Sequence, residues 1–201
     1  MKNSRKTPTP KRRKIRSAQY ERWETCLHEA SHCYLWMKLS SDIFRPSMTA
    51  ILFQSGKYHG VAKCSGKISD YRYAVVLAAG VYGAKLAEWF PRPRGWYQKK
   101  KLVEKQIRQA ADGADNADAM RKSFNQDDEH LSDAEMIARH CIQYEPTNPL
   151  DWIARHRRIY AHARLLVWQH KSEIRQIAIE LYHTGRFHQP AETDPFSNPI
   201  E

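Results

Sequence analysis

Residues 18–39 read AQYERWETCLHEASHCYLWMKL, and this stretch determines how the rest of the chain is interpreted. Its apolar side chains recur at i, i+3, i+4 and i+7, the spacing of one helix face. They are Trp23, Cys26, Leu27, Ala30, Cys33, Tyr34 and Met37. Ser17 is a suitable N-cap before the pattern, and Pro46 follows its end. The sequence therefore predicts an amphipathic helix over residues 18–39.

The same stretch contains the HExxH motif His28-Glu29-Ala30-Ser31-His32. Positions i and i+4 lie one turn apart on the same helix face, so both imidazoles can reach one Zn²⁺ at about 2.0–2.1 Å. Glu29 is offset around the helix and is placed to act as general base toward a water molecule on the metal. The pattern predicts zinc-dependent hydrolysis. The alternative is that two solvated histidines flank a surface glutamate.

Catalytic zinc usually has three protein ligands and one open position. No third histidine follows the motif at the metzincin spacing, so we expect a carboxylate from further along the chain to complete the site. Cys26 and Cys33 lie seven residues apart on the predicted helix and are an alternative pair of soft ligands. Core packing is the favoured interpretation of these two thiols.

The rest of the chain alternates helical patterns with one short β region. Residues 48–53 and 61–64 predict two strands, with Gly56 and Gly60 as turn signals between them. Further helices are predicted over residues 71–90, over 98–111, from Ser132 in a capping box with Glu135, over 150–170, and from Ser172 to a C-cap at Gly185. We therefore expect a mainly α chain with a small β-sheet (α+β), in which a zincin-like HExxH helix packs with a helical bundle.

The charge of the chain is concentrated at its start. The net charge is +11, and residues 1–16 hold eight lysines and arginines and no acidic residue. We expect a flexible basic arm over residues 1–16, one domain over 17–188 and a disordered tail over 189–201. The arm would suit nucleic acid or another anionic partner, and a solvated tail is the alternative.

Other features of the composition point to a soluble chain. No apolar run approaches the length of a membrane span, and the four cysteines form no CxxC pair and follow no secretory signal. We therefore expect a reduced, cytoplasmic setting. A second basic stretch, residues 155–164, is interpreted as the solvent face of a helix, with nucleic-acid binding as the alternative.

The surroundings of the motif resemble the peptidase domain of FtsH-type proteases. That family has His-Glu-Ala-Gly-His, and Ser31 here stands in place of its glycine. The resemblance covers about residues 20–188, although Gly83-Ala84-Lys85 stands where the family has Ala-Ala-Glu-Glu. The other matching segments, in the family's order, are Ile51-Leu52-Phe53, Gly56, Gly60, Ala78-Ala79-Gly80, Leu86-Ala87-Glu88 and residues 163–185.

The resemblance implies that the third zinc ligand is an aspartate at the start of a later helix. Asp133, directly after Ser132, is the favoured candidate. Asp115 and Asp118 are the alternatives, because Gly113-Ala114-Asp115-Asn116 resembles a Gly-Ala-Ser-Asn run of the family. The implied site is Zn²⁺ on His28, His32 and Asp133, with Glu29 as the catalytic base.

The ATPase module of the family has no counterpart in this sequence, because no GxxxxGK[ST] phosphate loop is present. The resemblance therefore implies a stand-alone zinc endopeptidase that acts without ATP on peptides or unfolded proteins. The alternative is a nucleic-acid-binding or regulatory protein with a degenerate peptidase fold.

Overall fold

The computed structural model of the chain describes residues 10–40, 47–55, 57–87, 95–111, 131–144 and 149–190. Over these residues the chain forms six helices and a three-stranded sheet, so the expectation of a mainly α chain with a small β-sheet is confirmed. The elements follow one another as α1 (Pro10–Leu39), β1 (Met48–Ser55), β2 (Lys57–Cys64), α2 (Asp70–Lys85), α3 (Gly95–Ala111), α4 (Asp133–Tyr144), α5 (Pro149–Gln169), α6 (Lys171–Thr184) and β3 (Arg186–Gln189).

Helix α1 is longer than its apolar pattern predicts, because it begins at Pro10. Proline is accepted in the first turn of a helix, where its missing N–H leaves no hydrogen bond unmade, and lysine and arginine are good helix formers. The expectation of a flexible arm over residues 1–16 is therefore not met over residues 10–16, which are helical. Residues 1–9 lie outside the described part of the chain.

The part of α1 that carries the motif is the centre of the fold. Every residue from Glu24 to Leu35 is buried, the polar ones included. Helix α2 packs along α1 most extensively, and α6 and β2 cover other sides of it. With His28 only 3% exposed and His32 8% exposed, the alternative of two solvated histidines is excluded.

Helix α2 approaches α1 closely because its buried side chains are mostly small. The helix was expected over residues 71–90 but ends at Lys85, with Leu86 as its C-cap. Its buried small residues are Ala74, Ala78, Ala79, Gly80, Gly83 and Ala84. Without long side chains between them, the two helix backbones can come near each other.

The sheet is antiparallel with strand order β2-β1-β3. The β1–β2 register runs from Met48 opposite Cys64 to Ser55 opposite Lys57, so β2 begins four residues earlier than expected and contains Gly60. On the other side of β1, the pairing with β3 runs from Met48 opposite Gln189 to Ile51 opposite Arg186. Strand β2 thus lies at one edge of the described sheet.

Strand β3 was not predicted, because its four residues are too few to show a period of two. Gly185 has a left-handed backbone, with φ of 74°, and ends α6 as the expected C-cap. The chain then turns directly into β3, so Gln189 belongs to the sheet and not to the tail expected over 189–201. Residues 191–201 lie outside the described part of the chain.

The core lies between α1, α2, α5, α6 and the inner face of the sheet. Its largest fully buried side chains include Leu27, Leu35, Trp152, Ile159, Ile174 and Leu181. Burying one such aliphatic side chain contributes about 1.5–3 kcal/mol, and this packing holds α1 in place from several sides. Within the described ranges, no helix combines the length and the apolar character that a membrane crossing requires.

Candidate metal centre

The two histidines of the motif lie side by side in the interior. Their ring centroids are 4.7 Å apart with the rings nearly perpendicular, as the i, i+4 spacing on α1 allows. His32 Nδ1 lies 2.9 Å from the backbone oxygen of Val76 on α2. Because a carbonyl only accepts, Nδ1 carries the proton and donates it, and this orients the ring with Nε2 toward Asp133.

Asp133 meets the two histidines from the start of α4. Its Oδ2 lies 3.2 Å from His28 Nε2 and 3.4 Å from His32 Nε2. One half of the expected capping box forms just beside it, because the Ser132 N–H donates to Glu135 Oε2 at 2.8 Å, and the Ser132 hydroxyl donates to the same carboxylate. That bond fixes the first turn of α4 and therefore the position of Asp133. The structure thus brings His28, His32 and Asp133 together as one group.

The spacing of these three donor atoms suits a metal ion. Around a tetrahedral zinc with bonds of about 2.0–2.1 Å, neighbouring ligand atoms are about 3.3 Å apart. The two nitrogen–oxygen distances of 3.2 and 3.4 Å match that separation, and all three donor atoms lie within 4.8 Å of one another. Two neutral imidazoles and one carboxylate are also a common ligand set for zinc. The group could therefore hold a metal ion.

The charges of the group depend on one another. Burial lowers the pKa of His32, but the Asp133 carboxylate and the hydrogen bond to it outweigh burial and raise the pKa to about 9. Burial raises the pKa of Asp133, but His32 and His28 together lower it by a larger amount. The pKa of Asp133 is therefore well below its usual range. Without a metal, His32 therefore carries a proton against Asp133. A metal ion would displace that proton, since it needs the same nitrogen lone pair.

Glu29 lies beside the group on the next position of α1. Burial raises the pKa of its carboxyl, the two histidines and the Ala62 backbone N–H lower it, and Asp133 raises it. The side chain packs against Gly60, where a Cβ atom would come within 2.7 Å of Glu29 Oε1. Strand β2 thus contributes two contacts to Glu29, namely the N–H of Ala62 and the open backbone of Gly60.

Two glycines of α2 leave room for side chains of the motif. A Cβ atom on Gly80 would lie 2.6 Å from the Nε2 atoms of both His28 and His32. A Cβ atom on Gly83 would overlap Ser31, whose hydroxyl donates to the Leu27 carbonyl at 2.8 Å. Ser31 and Gly83 therefore face each other, the larger residue on α1 opposite the smaller one on α2.

The role of these glycines was missed in the sequence. Gly60 was interpreted as a turn signal, and Gly80 only as one of several small residues of a helix. A glycine inside a strand often marks the close approach of another group, and this was the available signal for Gly60. Which group approaches it depends on the pairing of α1 with the sheet, which the sequence does not contain.

The group lies in a cleft of about 1220 Å³ between α1, β2, α2 and α4. All residues of β2 from 58 to 64 line the cleft. Because alternate side chains of a strand point to opposite faces, an unbroken run of lining residues shows that the edge of β2 borders the cleft. His28, Glu29, His32 and Asp133 line the same cleft, so these four side chains and an open strand edge are adjacent.

The remaining candidates divide into two groups. Cys26 and Cys33 are fully buried in the hydrophobic core, as core packing predicted. Asp115 and Asp118, the alternatives to Asp133, lie outside the described residues.

A comparison of the chain with protein-family models, curated proteins and solved structures found no match in any of the three. The resemblance to FtsH-type peptidases therefore stays a prediction, and the function is argued from the site itself.

Proposed function

We propose that the protein is a zinc-dependent peptidase in which His28, His32 and Asp133 hold the metal and Glu29 is the catalytic base. The observation that carries the proposal is the convergence of three donor atoms, two histidine nitrogens and one carboxylate oxygen, within 4.8 Å of one another, with the buried carboxylate of Glu29 beside them. A purely structural polar cluster could show the same distances, but it would not require an adjoining cleft of about 1220 Å³. When bound, zinc would polarise the scissile carbonyl and acidify a water molecule.

The substrate class follows from the edge of β2. Among the described residues that strand pairs only with β1, and its other edge borders the cleft. An extended peptide can add to such an edge through main-chain hydrogen bonds. We therefore propose that the substrate is a flexible peptide or an unfolded protein segment, bound alongside β2 with its scissile bond near Glu29. The sequence has no phosphate loop, and we propose that hydrolysis proceeds without ATP.

The residues of the chain have separate tasks in this proposal. Glu29 takes a proton from the attacking water and passes it to the leaving amine. The Ala62 N–H and the open backbone of Gly60 keep the Glu29 carboxylate in place. The Val76 carbonyl orients the His32 ring, and the half of the capping box that forms at the start of α4 positions Asp133.

The first test is the metal content of the full chain, measured by elemental analysis after purification without chelators. We expect about one zinc per chain, and loss of the metal in His32→Ala and Asp133→Asn. Zinc that remains in both variants, or its absence from the unaltered chain after zinc is supplied, would contradict the site.

The second test separates metal binding from catalysis. Glu29→Gln should keep its zinc and lose about 10²–10⁴-fold in the rate of hydrolysis of an unfolded, fluorescently labelled protein without ATP. Glu21→Gln is the matched control, because Glu21 lies on the same helix and lines the same cleft but is not part of the metal group. Equal activity of the two variants would rule out Glu29 as the base.

A further inference from the structure

The cleft beside the metal group is a groove between one face of α1 and the edge of β2. The residues of α1 that line it recur at about one-turn spacing, and they are Glu21, Thr25, His28, Glu29, His32 and Trp36. Over that stretch an α-helix rises by about 22 Å, and the part of β2 that lines the cleft spans about 20 Å. The groove is therefore long enough for about six residues of an extended peptide.

Two contacts show that α1 and β2 run along the groove in the same direction. Glu29 packs against Gly60 in the middle of the strand. Further along both elements, the Trp36 indole N–H donates to the backbone oxygen of Ser65, just after the end of β2, at 2.8 Å. The metal group thus lies between the two ends of the groove, and Trp36 marks the end beyond His32.

Two aromatic side chains form this end of the groove. Trp36 follows His32 by one turn of α1, and Tyr73 precedes Val76, whose carbonyl holds the His32 ring, by one turn of α2. The Trp36 and Tyr73 rings meet edge to face, with centroids 5.8 Å apart. Two other apolar side chains near them line the same cleft, Leu77 beside Val76 on α2 and Met136 one turn after Asp133 on α4.

These aromatic rings are accessible from the cleft. Tyr73 is 39% exposed and Trp36 is partly exposed, whereas Leu77 is only 8% exposed. The indole hydrogen bond to Ser65 also fixes the position of the Trp36 ring. An accessible, fixed aromatic pair on a concave apolar wall is the surface to which apolar groups of ligands bind.

We propose that Trp36 and Tyr73 form a subsite that selects one large apolar side chain of the substrate peptide. The inference rests on the proposed function, because it takes the peptide to lie along β2. One helical turn is about 5.4 Å, which an extended peptide covers in fewer than two residues of about 3.3 Å each. The selected side chain therefore belongs to one of the two residues next to the scissile bond, on the side that faces Trp36.

The test compares two peptides that differ at one position. Both consist of glycine and serine, with a single phenylalanine in one and a single alanine in the other, and both are incubated with the zinc-loaded full chain. We expect kcat/KM for the phenylalanine peptide to be at least about tenfold higher. Mass spectrometry should locate the cleaved bond within about two residues of the phenylalanine.

Substitutions in the subsite should remove this preference. Trp36→Ala and Tyr73→Ala should each lower kcat/KM for the phenylalanine peptide by about tenfold and change that for the alanine peptide by less than about twofold. Tyr73→Phe keeps the ring and should keep the preference. The matched control is Trp168→Ala, which truncates an aromatic side chain that is 47% exposed and does not line the cleft. A purely structural role of the two rings would lower the rates for both peptides equally.

The outcomes separate the subsite from the peptidase. Equal kcat/KM for the two peptides, or a preference that persists in both alanine variants, would overturn the subsite and leave the peptidase standing. No hydrolysis of any peptide or unfolded protein would contradict the proposed function instead. Fluorescence anisotropy of the two labelled peptides on the zinc-loaded chain would then decide the subsite. Tighter binding of the phenylalanine peptide, lost in Trp36→Ala and Tyr73→Ala, would support it, and equal binding, or none up to ~1 mM, would overturn it.

Discussion

Glu29 and Gly60 are packed so closely that a Cβ atom at position 60 would lie 2.7 Å from Oε1 of the glutamate. The two residues belong to α1 and β2, so the edge of the sheet determines where the carboxylate lies. In the proposed reaction Glu29 must be within hydrogen-bond reach of the attacking water, and displacement by about 1 Å can cost 10²-fold in rate. Gly60 is therefore a positioning residue of the site.

Replacement of Gly60 by alanine tests this relationship. We expect Gly60→Ala to displace Glu29 and to lower kcat for peptide hydrolysis by about 10²-fold, while the zinc content stays that of the unaltered chain. Ile51→Ala, at an exposed position of the neighbouring strand β1 that does not line the cleft, is the control and should keep its rate. An unchanged kcat in Gly60→Ala would show that Glu29 can move aside without loss.

Gly80 tests the metal group in the same way. A methyl group there would meet the Nε2 atoms of His28 and His32, so Gly80→Ala should bind zinc at least tenfold more weakly in a chelator competition assay. Gly83→Ala is the matched control, because it also adds a methyl group between α1 and α2 but meets Ser31 and the Leu27 carbonyl. Both variants should lose about 1–3 kcal/mol of stability through overpacking. Equal zinc affinities in the two would contradict the placement of the histidines.

Cys64 should be the most reactive thiol of the chain. Cys26, Cys33 and Cys141 are fully buried, whereas Cys64 is partly exposed and lines the cleft. The hydrogen bond from the Cys33 thiol also lowers the pKa of Cys64, while burial raises that of Cys141 to about 12.

Iodoacetamide should therefore alkylate Cys64 at least about tenfold faster than the other thiols, as read by peptide mass mapping. Because the adduct would occupy the cleft, it should also inhibit hydrolysis. Cys64→Ser should abolish the fast phase, and Cys141→Ser should keep it. Fast labelling of a buried cysteine instead would mean that the core opens readily.

His156 should make the stability of the chain depend on pH. Burial lowers its pKa in the folded chain from an ordinary value near 6.5 to about 4, so the unfolded chain binds more protons between these values. The stabilisation is complete above the unfolded pKa and is lost as the pH falls through the window toward about 4.

We expect the free energy of unfolding by urea to fall by about 2 kcal/mol more between about pH 7 and about pH 5 in the unaltered chain than in His156→Gln. Parallel pH profiles of the two chains would show that His156 is protonated without cost in the folded state.

The sequence was informative where a feature is local. The motif on α1, the bond between Ser132 and Glu135 at the start of α4, and the C-cap at Gly185 each depend on residues within one or two turns, and the structure contains all three. The early start of α1 at Pro10 was missed, because the apolar pattern begins only at Trp23 and the basic residues before it were assigned to an arm.

What could not be predicted depends on packing between distant segments. Strand β3 exists because β1 offers it a partner, and its own four residues carry no period that could identify it. The contacts of Gly60 and Gly80 with the motif arise in the same way, from the arrangement of β2 and α2 around α1. Asp133 was favoured for its place in a helix and not for any signal that it faces the histidines.

The pairing of His28 with Asp133 joins positions 105 residues apart in the chain. A metal ion held by both would act as a cross-link between the first helix and the fourth, and would close a loop that contains β1, β2, α2 and α3. Anything that binds only the folded chain stabilises it in proportion to the logarithm of its concentration. Zinc would then do more than supply chemistry. By tying α4 to α1 it would keep one wall of the cleft in place, and α4 would be the first helix to lose its amide-exchange protection when the metal is removed.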